Sequence, residues 1–306
     1  MQTNNIAQLN KDFAFDNGNH QLSIKIGKGD IPVVEVQNEH ARATISLQGA
    51  QVLSWVPTGE EEVIWISDEA IVSPGKSVRG GVPICWPWFG PHESSATYPA
   101  HGFARIVLWQ LTNSRPLSAN ETQITFQLDS RQLDASMQPM WPLATVLEYR
   151  ITIGRTLTLE LTTYNHSEQT ITIGQALHTY FRVDDVTKTS VYGLEGKDYL
   201  DKTDGFKHKT QVGPLRINAE VDRVYLQTTD EVIIDDQKRK IIIKKQGSRS
   251  TVVWNPWQVV AEKMGDLGQD GYRKMLCVES ANVADDTLQI NAAESYSLRV
   301  TYGVEK

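Results

Sequence analysis

Two short segments of this chain each set a proton-transfer group beside an apolar strand. In Leu177-His178-Thr179-Tyr180-Phe181-Arg182-Val183 an imidazole follows the alternating run Thr170-Ile171-Thr172-Ile173, and in Cys277-Val278-Glu279-Ser280-Ala281-Asn282 a carboxylate ends an apolar run. Imidazole and carboxylate are common general acids and bases. Taken singly, each has a plain structural reading: a lone His near a strand is more often hydrogen-bonded scaffold, and a lone Glu at a strand end is usually solvated. A third segment, Gly80-Gly81-Val82-Pro83-Ile84-Cys85-Trp86-Pro87-Trp88-Phe89-Gly90-Pro91, holds three Pro, three Gly and three aromatics and no charge. Proline removes backbone donors and glycine permits unusual dihedrals, so this segment reads as a fixed loop crossing the end of a sheet. Trp86 and Trp88 read as buried corner residues. Arg79 before the loop and His101 and Arg105 after it suit an anion-binding rim. It is the combination of the three segments that points to a site.

Other catalytic signatures are near misses. Gly75-Lys76-Ser77-Val78-Arg79-Gly80 fails the GxSxG pattern by one residue, His92-Glu93 has no second His three residues on, and Gly27-Lys28-Gly29 leads to Asp30-Ile31-Pro32 rather than to a phosphate-binding helix. Serine hydrolase, zincin and dinucleotide-binding readings are therefore weak, and no metal or cofactor is expected. The triplets at Asn120 and Asn165 signal glycosylation only in an exported chain.

The elements that must carry these groups are strands. Period-2 alternation marks 123–128, 156–161 and 170–173, and further strands read at 43–47, 146–153, 232–234, 241–245, 251–254, 276–279 and 296–302, separated by Gly, Pro, Asn and Asp. Helical periodicity is scarce. Alternating strands without helical crossovers predict an all-β protein, antiparallel sheets packed face to face as a sandwich. No fixed-period repeat argues for a propeller. No linker divides residues 1–306, so one domain is expected, with the extreme N-terminal residues peripheral.

With 306 residues, 40% apolar content and 8 Trp, the chain can bury a large core, which excludes disorder and small disulfide scaffolds. Thirty Lys and Arg against 37 Asp and Glu leave a net charge of −7, so there is no general basic field for nucleic acid or anionic lipid. A phosphate-bearing partner needs local Arg or Lys. No run approaches the roughly 18 apolar residues of a membrane helix, and the opening residues have neither a basic n-region nor an apolar h-region. The expectation is a cytoplasmic chain, with Cys85 and Cys277 reduced.

Five segments together resemble a known family: Arg79-Gly80-Gly81-Val82-Pro83-Ile84-Cys85-Trp86-Pro87, His101-Gly102-Phe103-Ala104-Arg105, Leu177-His178-Thr179-Tyr180-Phe181, Glu220-Val221-Asp222-Arg223-Val224-Tyr225 and Val278-Glu279-Ser280. The chain is similar here to the hexose-6-phosphate mutarotases, or glucose-6-phosphate 1-epimerases, of the wider aldose 1-epimerase superfamily. The resemblance implies a galactose-mutarotase-like β-supersandwich, a monomer, and interconversion of the α and β anomers of a hexose 6-phosphate. It also implies roles: His178 as general acid, Glu279 as general base, His101 as the second histidine that orients the substrate, Asp222 as the carboxylate that holds sugar hydroxyls, and Arg79 and Arg105 as phosphate contacts. One position departs from the family pattern, Ala100 standing where Gln commonly precedes His101, which removes a side-chain amide.

The implied chemistry suits the residues. Anomer exchange takes the proton from the C1 hydroxyl and gives one to the ring oxygen; the ring opens to the aldehyde, C1–C2 rotates, and reclosure inverts the centre. One base and one acid suffice, each contributing roughly 10²- to 10⁴-fold. Two other readings stand beside it: a non-catalytic carbohydrate-binding sandwich, and a glycoside hydrolase or lyase using Asp222 with Glu279 as its carboxylate pair.

Overall fold

Among the described residues, twenty-four strands, almost all short, are found, and every ladder between them is antiparallel. The computed structural model describes residues 6–118 and 120–306. Its largest sheet has nine strands, among them Glu121–Asp129, Thr145–Ile153, Leu157–Asn165, Lys240–Gln246 and Ser295–Glu305. A second sheet of eight strands has Met275–Asn282 at its centre, with Ser250–Asn255 on one side and both Gln175–Leu177 and Tyr180–Arg182 on the other. A five-stranded sheet from Phe15 to Pro57 and a two-stranded ribbon, Ile171–Ile173 with Leu288–Ile290, complete the β-structure. The α-helices among the described residues are Ile6–Phe13 and Trp257–Ala261, and no helix there is long and apolar enough to cross a membrane.

The alternation seen in the sequence becomes the packing. In Thr145–Ile153 the residues Leu147, Tyr149, Ile151 and Ile153 are fully buried, and they meet Leu276, Val278, Leu177 and Phe181 of the eight-stranded sheet in one continuous apolar core. Phe181 packs edge-on against Tyr302 at 5.0 Å, which ties the two sheets face to face. The expected antiparallel sandwich is thus present, with a third sheet added to it.

Every residue of Met275–Asn282 is buried, along its full eight-residue length. One face lies in the core, through Leu276 and Val278. The other presents Cys277, Glu279 and Ala281, and cross-strand register extends this face across the sheet. Cys277 sits opposite Tyr180 and Trp254, and Trp254 opposite Asp222; Glu279 sits opposite Val252, which sits opposite Val224. Since side chains on a strand alternate with period 2, all of these project from the face turned away from the core. The sequence reading ends its apolar strand at Glu279. The structure carries that strand through to Asn282, so the carboxylate lies mid-strand and is buried rather than solvated.

The 80–91 loop closes one edge of this sheet, pairing as a strand at Ile84–Cys85. Trp86 is fully buried, edge-on to Phe103 at 5.5 Å and Trp141 at 5.2 Å, as a corner residue should be; Trp88 is half-buried and stacks on Tyr98. Gly102 is required where the chain passes beneath this loop. At φ +74° a Cβ there would lie 1.9 Å from the Trp86 carbonyl oxygen.

Candidate active site

His178 occupies the short break between Gln175–Leu177 and Tyr180–Arg182, where its N–H donates to the Pro83 carbonyl at 3.0 Å. Alternation then sends His178 and Tyr180 to the outer face and Thr179 into the core, where the Thr179 hydroxyl meets the Tyr302 hydroxyl at 2.6 Å. The core thus anchors the segment that carries the imidazole.

Across the sheet, His178 Nε2 lies 3.4 Å from Glu279 Oε1, with side-chain exposures of 10% and 1%. Burial pushes the Glu279 carboxyl well above the usual carboxylate range, Asp222 adding to the effect while Lys202 and Arg105 oppose it. Burial likewise pushes the His178 imidazole well below its ordinary value, helped by His101 and Arg105. Both shifts have one cause, the cost of charge away from water. The contact is therefore not an ordinary ion pair, since both shifts favour the neutral forms. Glu279 Oε2 and His178 Nδ1 are buried and have no hydrogen-bond partner among the described residues. Such atoms are costly in a scaffold and useful where a ligand's hydroxyls arrive.

His101 stands beside His178, the rings 5.7 Å apart, and takes a left-handed backbone conformation at φ +64°. Its Nδ1 accepts from the Gly90 N–H at 3.4 Å and lies 3.5 Å from Cys85 Sγ. Burial, Arg105 and Lys202 bring its pKa down to about 3, and burial takes the Cys85 thiol up to about 12. With Nδ1 accepting, the neutral ring carries its proton on Nε2 and is a hydrogen-bond donor.

Asp222 is brought to the same face and pairs with Lys202 at 2.7 Å. Burial raises its pKa and Lys202 opposes the rise. Arg79 donates through Nε to Asp266 at 3.1 Å and through Nη1 to the Tyr180 hydroxyl at 3.2 Å. Arg105 donates through Nη2 to the Ala100 carbonyl at 2.7 Å, and its buried Nε has no partner among the described residues. The charges of Arg79 and Arg105 both act on His101 and His178, and Lys202 acts on His101 and Glu279. The six residues singled out in the sequence are thereby gathered on one face. In a chain of net charge −7, Arg79, Arg105 and Lys202 make a local cluster of three cations.

Lys202 is the main addition. In the sequence it lies in Asp201-Lys202-Thr203-Asp204, which reads as an ordinary solvated charge run. Only the pairing of Asp201 with Arg223 shows that the next position faces Asp222. Tyr180, which lies flat against His178, and Asp266 likewise carry no sequence signal of their own. Cys85 and Cys277 are both buried and free. No group of three or more His, Cys, Asp or Glu that could hold a metal ion occurs among the described residues.

Comparison with known proteins adds an independent line. The sequence profile described as Aldose 1-epimerase matches residues 32–303. An Escherichia coli K12 protein, named as a candidate glucose-6-phosphate 1-epimerase, is 35% identical over 280 residues, or 90% of this chain and 92% of that protein. A protein of the same name from Cenchrus ciliaris is 38% identical over 252 residues, covering 79% of this chain and 75% of its own length. Among solved structures, a candidate mutarotase from Salmonella typhimurium is 32% identical with a TM-score of 0.86, covering 98% of this chain and 99% of that one. A galactose mutarotase-like protein from Clostridium acetobutylicum, at 12% identity and a TM-score of 0.72 over 95% of this chain and 100% of its own, shares the fold.

Proposed function

The chain belongs to the aldose 1-epimerase family, and we propose that it interconverts the α and β anomers of a hexose 6-phosphate, with glucose 6-phosphate as the first substrate to try. The observation that carries this reading is the His178–Glu279 contact, one buried acid and one buried base 3.4 Å apart, with three cations around them.

In this reading the C1 hydroxyl gives its proton to Glu279 while His178 gives one to the ring oxygen. The C1–O5 bond breaks, the C1–C2 bond of the open aldehyde rotates, and reclosure returns both protons. A pair that starts with one proton ends with one, so no cofactor enters the balance. Reverse turnover exchanges the roles. A phosphate dianion held by Arg79 and Arg105 supports the assignment of acid and base, because it offsets the arginine charges that add to burial in holding His178 neutral. Lys202 and Arg105 favour the carboxylate form of Glu279 at the same moment. Neutral His101 donates from Nε2 to a sugar oxygen, and Asp222, held by Lys202, accepts from sugar hydroxyls.

The acting unit in this reading is a monomer folded as one domain, working in the cytoplasm, where its charged substrate is retained. A hydrolase using Asp222 and Glu279 gains less support, since Asp222 is already paired with Lys202 and Glu279 with His178. A silent sugar-binding module gains less support, since it has no use for a buried acid and base set 3.4 Å apart. Dissolving pure α-glucose 6-phosphate with the protein and following optical rotation or the anomeric proton signals, beside an oligosaccharide digest, tests the reading. Anomer exchange no faster than the enzyme-free rate rejects it.

A further inference from the structure

Three rings form a column under the site. Trp65 and Tyr180 stack with centroids 6.0 Å apart and planes at 20°, and Tyr180 and His178 stack at 4.9 Å and 11°. Tyr180 is fixed on its other edges as well: its N–H donates to the Gly81 carbonyl, its carbonyl accepts from the Trp65 N–H, and Trp254 meets its ring edge-on at 6.0 Å. The phenol oxygen accepts from Arg79 Nη1 at 3.2 Å, and Asp266 holds the other side of the same guanidinium at 3.1 Å. A guanidinium has five N–H donors, so two bonds leave the rest free for an anion. A single side chain therefore touches both the imidazole and the cation proposed to hold the phosphate.

Resting on the functional reading above, we infer that Tyr180 is a positioning residue that converts phosphate occupancy at Arg79 into orientation of the His178 ring. A dianion on the free edge of Arg79 draws the guanidinium to one position. The phenol follows through its hydrogen bond, and the imidazole, lying almost parallel against the phenol, takes the angle at which its proton meets the ring oxygen. Burial pushes the Tyr180 hydroxyl above its ordinary value, so it stays a neutral acceptor for Arg79 throughout. The phosphate lies remote from C1 and takes no part in the bond changes. Its binding energy is here spent on orientation at the reacting centre, which raises kcat rather than lowering KM alone. Phosphorylated sugars are then preferred in turnover as well as in binding.

The test compares the full chain with Tyr180→Phe, which keeps the stacked ring and removes only the oxygen. The substrates are glucose 6-phosphate, glucose, and xylose, which is glucose without C6; inorganic phosphite is added to xylose as a detached stand-in for the phosphate. All rates are corrected for the enzyme-free reaction at the same anion concentration. In the unaltered chain kcat on glucose 6-phosphate should exceed that on glucose by on the order of 10-fold, and phosphite should raise xylose turnover several-fold. Tyr180→Phe should bring the glucose 6-phosphate to glucose kcat ratio close to one and abolish the phosphite effect. Asp266→Asn, which loosens Arg79 without touching the ring column, should instead raise KM for glucose 6-phosphate with the kcat ratio largely kept. Equal loss on both sugars in Tyr180→Phe makes the ring mere scaffold and overturns the inference. So does phosphite activation that survives in Tyr180→Phe, as a field acting through space would, or that is missing from the unaltered chain. Absence of anomer exchange on every sugar overturns the functional reading itself, a result distinguishable from all of these.

Discussion

His178 Nε2 and Glu279 Oε1 lie 3.4 Å apart in nearly water-free space, and burial shifts each of them away from its charged form. Burial weakens the imidazole as a base and the carboxyl as an acid, so neither takes a full charge cheaply. Such a pair is primed for proton exchange with a ligand and gains little as a structural bond.

Removing either partner should stop turnover without unfolding the chain. His178→Ala or Glu279→Gln is expected to lower kcat by on the order of 10²-fold or more. Thermal unfolding run beside the kinetics checks the cause. A scaffold role predicts a lowered Tm, with activity lost only in proportion to folded protein.

The pH dependence has two parts. kcat/KM should fall on both sides of neutrality: acid adds a second proton to the pair and removes its base, and alkali takes the shared proton and removes its acid. Stability should fall on the acid side for another reason. His101 has a folded pKa of about 3, lowered from its unfolded value near 6.5, so the unfolded chain binds the extra proton first. Its contribution is intact above about 6.5 and drains away as pH falls toward 3, by about 1.4 kcal/mol per unit through that window. His101→Asn, a residue that tolerates the left-handed backbone here, should flatten this limb in a Tm-against-pH series.

Arg79→Ala or Arg105→Ala should raise KM for glucose 6-phosphate by roughly 10- to 100-fold, since a charged hydrogen bond is worth about 1.5–3 kcal/mol. Activity on free glucose should change little, and Lys at either position should restore only part, because a point charge does not reproduce the planar fork. Equal losses on the two sugars would move the phosphate elsewhere.

Lys202 and Asp222 should behave as a unit. Lys202→Gln and Asp222→Asn are each expected to lower kcat/KM, and the double variant should lose less than the two combined, with a coupling of roughly 0.5–3 kcal/mol for groups in direct contact. Additive losses would mean that the two act on the sugar separately.

Chelation should leave turnover unchanged, the balance of protons being closed by His178 and Glu279 alone. Loss of activity with EDTA that added metal restores would contradict this.

Much of the sandwich was legible because burial on one face writes alternation into a strand: residues 146–153 are expected from the pattern, and Thr145–Ile153 is found. Met275–Asn282 was legible only as 276–279, for the opposite reason. Covered on both faces, it has no alternation to read, and its one carboxylate looks like a terminus. The rigid loop and its flanking cations stood out by composition, yet nothing in the sequence gives the register that sets Lys202 beside Asp222. A slip of one residue would turn either side chain into the core. Local pattern specifies strands; which of their residues meet is a property of pairing across long sequence separations.

The strand that carries Glu279 runs through the centre of its sheet with no exposed residue, and this determines how the molecule can lose function. Sites on loops can fray while the rest stays folded; the Glu279 part of this one cannot, because its strand is buried along its whole length within the sheet. Hydrogen exchange of that strand's amides should proceed only through global opening, and residual activity along a denaturation curve should report the native fraction itself. Selection on turnover then acts directly on the cohesion of the whole sandwich.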